Sequence, residues 1–385
     1  MRRIPILLVC AFLLAIFVTA ATPCTGLLLA RAGRVLAGNN EDFWNPDTRM
    51  WFVPAEEPDR HGRVYFGFGN HFPQGGMNEA GLFFDGFATE ALPITTMEGR
   101  EFFAGNLIDE ALSRCATVDE LLELLSRYDL SFLEKAMLMF ADRNGDSVIL
   151  EGDDLVRKQG DFQISTNFYQ SRSEPEEAGC KRYAAAQRVL TRDESASVEL
   201  VREALAAAHI EVGSPTQYSN IYDLEAGLVY LYHFHDFQEV LVIDLAEELK
   251  KGKHSLRIPE LFPESFAFGE YRREAERKLE RRRSRRRAKD YDASNLADYA
   301  GSFVGSSEHA EYTITLRVAD GRLLAQVEEW VEAELMPDKQ GPDTFFRMDY
   351  LETSTATFTR DDDNLVIAMQ WDTGYGVVLE MQRTP

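Results

Sequence analysis

Cys24, followed at once by Thr25, stands a few residues past an apolar N-terminal run, so processing there would leave a cysteine as the first residue of the mature chain. Such a residue carries its own base, because a free α-amine with a pKa of about 7.7–8.0 can take the thiol proton directly. The chemistry this allows is attack of a thiolate on a carbonyl carbon, with no histidine required. Two plainer readings compete. A lipoprotein cysteine is poorly matched by Thr22 and Pro23 just before it. A disulfide cysteine fits badly too: once Cys10 leaves with the leader, Cys24, Cys115 and Cys180 remain, an odd number and few for a disulfide scaffold.

The leader itself is legible. Met1-Arg2-Arg3 is basic, and Ile4 to Val18 is almost unbroken apolar sequence, the length of a signal-peptide core and short for a membrane span. Cuts after Ala20 or Ala21 leave a stub ending in Thr22-Pro23. The sequence therefore predicts a second cut before Cys24, made by the cysteine on its own upstream peptide bond, and a secreted or periplasmic protein. The net charge of −23 argues against nucleic-acid partners. One segment opposes the trend: Glu270 to Lys289 holds 11 Lys and Arg against 4 Asp and Glu. It reads as a solvated linker helix, with contact to anionic polymers or lipid as the alternative.

The elements that must position Cys24 follow from periodicity. Thr25 to Leu36 reads as two strands joined near Ala32-Gly33, and Val64 to Gly86 holds further strand pieces. Gly99 to Tyr128, Lys181 to Leu190 and Ser197 to His209 read as helical. Asn144-Gly145 makes the acidic stretch Asp142 to Asp146 a hairpin turn rather than a calcium loop. His233 and His235 flank Phe234 on one strand without a visible third ligand, so they read as exposed strand histidines; no metal and no cofactor is expected. Beyond the charged helix, short strands recur: Tyr299 to Val304, Glu311 to Val318, Arg322 to Val327, Thr344 to Met348, Thr355 to Thr359, Leu365 to Trp371 and Gly376 to Glu380. They predict a small antiparallel β sandwich or barrel. The expected organisation is 1–23 as signal peptide plus propeptide, 24–262 as the catalytic domain, 263–290 as a charged helical linker and 291–385 as the β domain; about 360 mature residues suffice for two cores.

The chain resembles the cysteine N-terminal-nucleophile hydrolases, the superfamily of choloylglycine hydrolase, penicillin V acylase and the acyl-coenzyme A:6-aminopenicillanate acyltransferase-like proteins. The resemblance rests on ordered segments: Cys24-Thr25, Gly38-Asn39-Asn40-Glu41-Asp42-Phe43, Gly76-Met77-Asn78-Glu79-Ala80-Gly81-Leu82, Ser165-Thr166-Asn167, Lys181-Arg182-Tyr183 and Thr216-Gln217-Tyr218-Ser219-Asn220. It implies an α+β fold, a four-layer αββα sandwich, with Cys24 as nucleophile on a central strand. It further implies that Asp42 holds the Cys24 amine, that the Asn167 amide and a backbone N–H at Ala88 bind the oxyanion, and that Arg182 tunes charge at the thiol. Asn39 stands where bile salt hydrolases carry arginine, a departure from that subgroup.

The expected substrate is a small-molecule linear amide with an apolar or aromatic acyl group, because Phe43, Trp44, Phe66, Phe68, Phe72, Phe83 and Phe87 lie near the motifs. Asn39, Phe43, Trp44, Asn78 and Phe87 are the candidate substrate contacts, although Asn78 also reads as the holder of the turn before Gly81. No stable membrane insertion is expected, and a homo-oligomer is left open. Acyl transfer to an amine, a dipeptidase and a non-catalytic binding module remain the alternatives.

Overall fold

The computed structural model describes residues 23–95, 99–103, 105–306, 311–328, 331–374 and 377–384. The signal-peptide expectation for residues 1–22 lies outside them. Cys24 opens the first strand, β1 (Cys24–Arg31), which pairs with β2 (Arg34–Asp42). The turn between them has Ala32 at φ 51° and Gly33 at φ 76°, the left-handed pair that matches strand twist in a two-residue hairpin.

These strands sit inside a six-stranded sheet completed by β10 (Phe162–Ser165), β11 (Thr216–Asp223), β12 (Leu228–His233) and β13 (Asp236–Asp244), in the order β10-β1-β2-β11-β12-β13. A second sheet runs β14-β3-β4-β5-β6-β7-β8-β9. Its strands are β3 (Thr48–Val53), β4 (Arg63–Phe68), β5 (Pro73–Asn78), β6 (Phe83–Ala88), β7 (Ala136–Ala141), β8 (Ser147–Glu151), β9 (Asp154–Arg157) and β14 (His254–Arg257).

Alternation along the strands decides the layers. Cys24, Leu28 and Ala37 of the first sheet pack against Phe52, Phe66, Phe83 and Met139 of the second. Leu27, Leu29 and Leu36 point the other way, onto helices α4 (Lys181–Leu190) and α5 (Val198–Ala208). The far face of the second sheet, with Tyr65, Phe84 and Phe140, is covered by α1 (Leu107–Arg114) and α2 (Val118–Leu125); two short helices, α3 (Pro175–Ala178) and α6 (Leu245–Leu249), lie outside these layers. The result is the expected αββα sandwich. Both faces of β1 and β2 are buried, so a one-residue slip of register would exchange the two cores. Gly81, at φ 86°, makes the turn between β5 and β6, and a Cβ there would sit 2.4 Å from the Leu224 carbonyl oxygen.

The expected β domain is a closed barrel of eight antiparallel strands, from Gly301–Ser306 to Val378–Arg383. The seven expected strands are joined by an eighth, Val331–Pro337. The basic helix α7 (Phe266–Arg286) is not simply a solvated linker. Its C-terminal arginines dock onto the barrel: Arg283 Nε and Nη2 donate to the Met348 carbonyl oxygen at 2.9 and 2.6 Å, and Arg286 pairs with the fully buried Asp338 at 2.5 Å. The Arg286 guanidinium also lies over the Phe346 ring, 4.7 Å from its centre. Among the described residues, no helix is long and apolar enough to cross a membrane.

Candidate active site

Antiparallel register brings the first contacts together. Gly26 pairs with Ser165, so Asn167, two residues beyond β10, falls opposite Cys24. There the Cys24 backbone N–H donates to Asn167 Oδ1 at 2.7 Å. Arg182, in the first turn of α4, reaches over the strand end. It donates to the Cys24 carbonyl oxygen, to Thr25 Oγ1 at 3.0 Å and to Asn167 Oδ1 at 2.9 Å. Asn167 Nδ2 in turn donates to the Ala88 carbonyl oxygen at 2.8 Å, linking the first sheet to the last residue of β6 in the second. Cys24, Asn167, Arg182 and Ala88 are thus one cluster.

Asp42 is placed differently from the expectation. Cys24 pairs with Glu41, and the two-residue period sends Glu41 to the inter-sheet face and Asp42 to the other. The Cys24 sulfur lies 3.8 Å from Glu41 Oε1. Asp42 Oδ1 instead accepts a hydrogen bond from the Thr216 hydroxyl, and the Cys24 N–H goes to Asn167. Asp85 completes the inner shell from β6. It lies with Phe87 over Gly26, where a Cβ would come within 2.6 Å of the Phe87 ring and 3.1 Å of Asp85 Oδ2; only a bare backbone fits two residues after the cysteine.

Burial dominates the electrostatics. It pushes the Cys24 thiol well above its ordinary value, and the nearby carboxyls of Glu41, Asp42 and Asp85 push the same way; the backbone N–H of Asp42 works against them. Burial likewise raises Glu41 to about 8, helped by Asp42 and opposed by the thiol hydrogen bond. Asp42 is raised to about 8 by burial, against the pull of Thr216 and Arg182. Asp85 is pushed well up by burial and by the charge of Glu41. Neutral carboxyls packed beside a neutral thiol are the consequence while Cys24 N is an uncharged amide. A cation introduced at that nitrogen would favour the ionised forms of all four groups.

Cys24 lies at the wall of a cleft of ≈ 940 Å³ whose lining is mainly apolar. Phe43, Phe68, Phe84, Phe87, Ile108 and Phe132 contribute from the sandwich, while Val327, Leu351 and Trp371 contribute from the barrel. Arg347 and Glu352, paired at 2.6 Å, are among its few charged groups.

The remaining candidates separate. Phe43 and Phe87 line the cleft. Trp44 does not; it packs at a tilt against Phe43 and meets Tyr350 of the barrel edge-on. Asn39 is buried on the inter-sheet face opposite Gly26, and neither side-chain polar atom has a partner among the described residues. Asn78 holds its turn: Nδ2 donates to the carbonyl oxygens of Leu112 and Cys115, both at 2.7 Å, and Oδ1 accepts from the Leu82 N–H. Sequence reasoning missed Glu41 and Asp85 as site residues. A signal was present, since a carboxylate within Phe83-Phe84-Asp85-Gly86-Phe87 is an ionisable group in an apolar strand. His233 is also not exposed: it is buried against Phe262 and Phe268, because Phe234 and His235 form a turn rather than continuing the strand.

Among solved structures, the chain is similar to penicillin V acylase from Agrobacterium tumefaciens, at 17% identity and a TM-score of 0.44, covering 58% of this chain and 87% of that one. It is similar to a conjugated bile acid hydrolase from Clostridium perfringens, at 16% identity and a TM-score of 0.47, over 63% of this chain and 97% of that one. A third is a Caenorhabditis elegans N-acylethanolamine-hydrolyzing acid amidase ortholog, at 14% identity and a TM-score of 0.39, over 52% and 93%. No protein-family model matches the chain, and no curated protein does.

Proposed function

We propose that the chain is an exported cysteine amidase that hydrolyses a linear amide whose acyl group is apolar, after removing its own leader stub. The observation that carries this reading is the position of Cys24: it lines the apolar cleft, while its nitrogen is held by Asn167 and its carbonyl by Arg182. Maturation begins with attack of the Cys24 sulfur on the Pro23 carbonyl carbon, exchanging the C–N bond for a thioester. Water then hydrolyses the thioester, releasing the stub as an acid and returning the thiol beside a free α-amine.

The same sequence serves substrate. The α-amine takes the thiol proton, sulfur attacks the amide carbonyl, and the tetrahedral oxyanion is stabilised by polarised N–H donors. Asn167 Nδ2 is the donor at hand, released from Ala88 oxygen as the oxyanion forms. Collapse expels the amine leaving group with the proton, and water cleaves the acyl-enzyme. An α-ammonium among Glu41, Asp42 and Asp85 is the cation those buried carboxyls lack in the uncut chain. The apolar lining, including its barrel side, selects the acyl group by burial rather than by charge.

The test pairs intact mass with a panel of N-acyl amino acids, penicillin V, bile salts, acyl-homoserine lactones and dipeptides. The expected result is a chain beginning at Cys24 and thiol-dependent release of amine from one apolar acyl class. A wild-type chain retaining Pro23, with no turnover of any amide, refutes the reading.

A further inference from the structure

A second cluster lies on the outer side of the first sheet, where α5 ends and β12 turns into β13. His209 is the C-cap of α5. Its Nδ1 bonds the Ala206 carbonyl oxygen at 2.5 Å, which fixes the tautomer and directs Nε2 outward, 3.1 Å from Glu211 Oε1. His235 faces the same point from the hairpin turn, its ring stacked on His209 at 5.6 Å between centres and 29° between planes. One ligand atom from each of the three residues lies within 4.8 Å of the others.

The turn is an odd place for such a residue. Phe234 and His235 hold φ of 48° and 50°, a conformation that favours glycine or asparagine. Packing compensates at Phe234, whose ring meets Phe268 and Tyr271, each at 5.2 Å. The His235 ring packs on His209 and on Phe234, its centre 4.4 Å from that of the latter. Two stacked imidazoles beside a carboxylate, with one ring already oriented by a backbone carbonyl, are what a metal centre uses.

We propose that His209, Glu211 and His235 bind a divalent transition-metal ion, zinc first among them, and so clip the end of α5 to the β12–β13 turn. Two imidazole nitrogens and one carboxylate oxygen suit zinc with water as fourth ligand. Tetrahedral bonds of about 2.0–2.2 Å place ligand atoms about 3.3–3.5 Å apart. His209 and Glu211 already stand near that spacing, at 3.1 Å, and the ligand atom of His235 lies within 4.8 Å of both. The clip would act on the segment leading to β11: Thr216 bonds back to Ile210 through both its amide and its hydroxyl, and that hydroxyl holds Asp42. Its role is structural, several residues removed from the thiol.

The test uses the full exported chain without an affinity tag, stripped with chelator and titrated with zinc chloride or cobalt chloride alone. One equivalent per chain is expected, with the visible absorption of four-coordinate cobalt and a rise in Tm on adding zinc. His209→Gln, Glu211→Gln and His235→Gln should each lower zinc affinity about tenfold or more, since loss of an outer-shell partner already costs roughly that. His61→Gln should leave it unchanged. Glu211 is exposed, so its substitution keeps the fold even if a histidine variant does not. Substoichiometric binding, or wild-type affinity in Glu211→Gln, overturns the proposal, whatever the amidase activity proves to be.

Discussion

The Asn167 side chain meets Cys24 with its oxygen and Ala88 with its nitrogen, accepting the Cys24 N–H at 2.7 Å and donating to the Ala88 carbonyl at 2.8 Å. One amide therefore spans the gap between the two sheets at the start of β1, beside Cys24. Replacing it separates two functions. Asn167→Ala should lower kcat about 10²–10³-fold, the usual cost of one oxyanion donor, with KM nearly unchanged. Asn167→Asp, which keeps the acceptor but loses the donor, should lower kcat similarly yet still mature. Equal loss of kcat and gain in KM would count against the oxyanion role.

Cys24→Ala should abolish amide hydrolysis and leave the stub ending in Pro23 attached. Intact mass reads both effects in one spectrum. An N-terminus identical to wild type would mean that another protease makes the cut.

The uncut chain should lose stability as pH rises. Glu41 and Asp42 bind their protons up to about 8 in the fold but near their ordinary carboxyl values when unfolded. Between those limits the folded chain holds more protons, so unfolding becomes easier with increasing pH, by at most about 1.4 kcal/mol per pH unit for each group. In Cys24→Ala, Tm should therefore fall from pH 5 to pH 8, and adding Glu41→Gln should flatten the slope. The processed wild-type chain, with an α-ammonium beside these carboxyls, should show a shallower slope still. A rising Tm over this range would contradict the neutral-carboxyl picture.

Much of this was readable in advance, and the limits have physical causes. The Cys24-Thr25 start, Asn167 and Arg182 carry local sequence signatures, and the folded chain brings them together. Glu41 was hidden by register: only the pairing of Cys24 with Glu41 reveals that the residue before Asp42, rather than Asp42, shares the thiol's face. Asp85 lies on β6, five strands on from β1 and in the other sheet, a distance no spacing encodes. The barrel was legible from its turns, but strand Val331–Pro337 was missed: Glu332 and Glu334 alternate with Ala333 and Leu335 only briefly, and the period breaks where Leu335 and Met336 are both buried. The basic run Arg281 to Arg287 looked like a free surface because its buried partner, Asp338, is supplied from the barrel.

That partnership is testable. Removing one member of a buried ion pair leaves an uncompensated charge, so Asp338→Ala should cost about 3–5 kcal/mol in denaturant unfolding. Arg286 retains some access to solvent, with 21% of its side chain exposed, which places the expectation at the lower end. A change below about 0.5 kcal/mol, the range of ordinary surface substitutions, would show that the pair does not anchor α7.

The cleft predicts a separation of substrate classes. Phe132 and Leu351 line it from opposite domains and are not core residues. Phe132→Ser and Leu351→Ser should each raise KM for long-chain acyl amides about tenfold while sparing kcat and short-chain substrates. Uniform effects across chain lengths would remove the barrel from substrate selection.

A wall built from a separately closed barrel also has an evolutionary meaning. Cys24 and Glu41 sit on strands buried on both faces, where almost any change is felt by two cores. Leu351 and Val327 belong to a structure with its own core and no open edges. On the proposed function, variation there retunes what the cleft accepts without disturbing the cysteine cluster, so diversification among descendants of this chain should accumulate on the barrel.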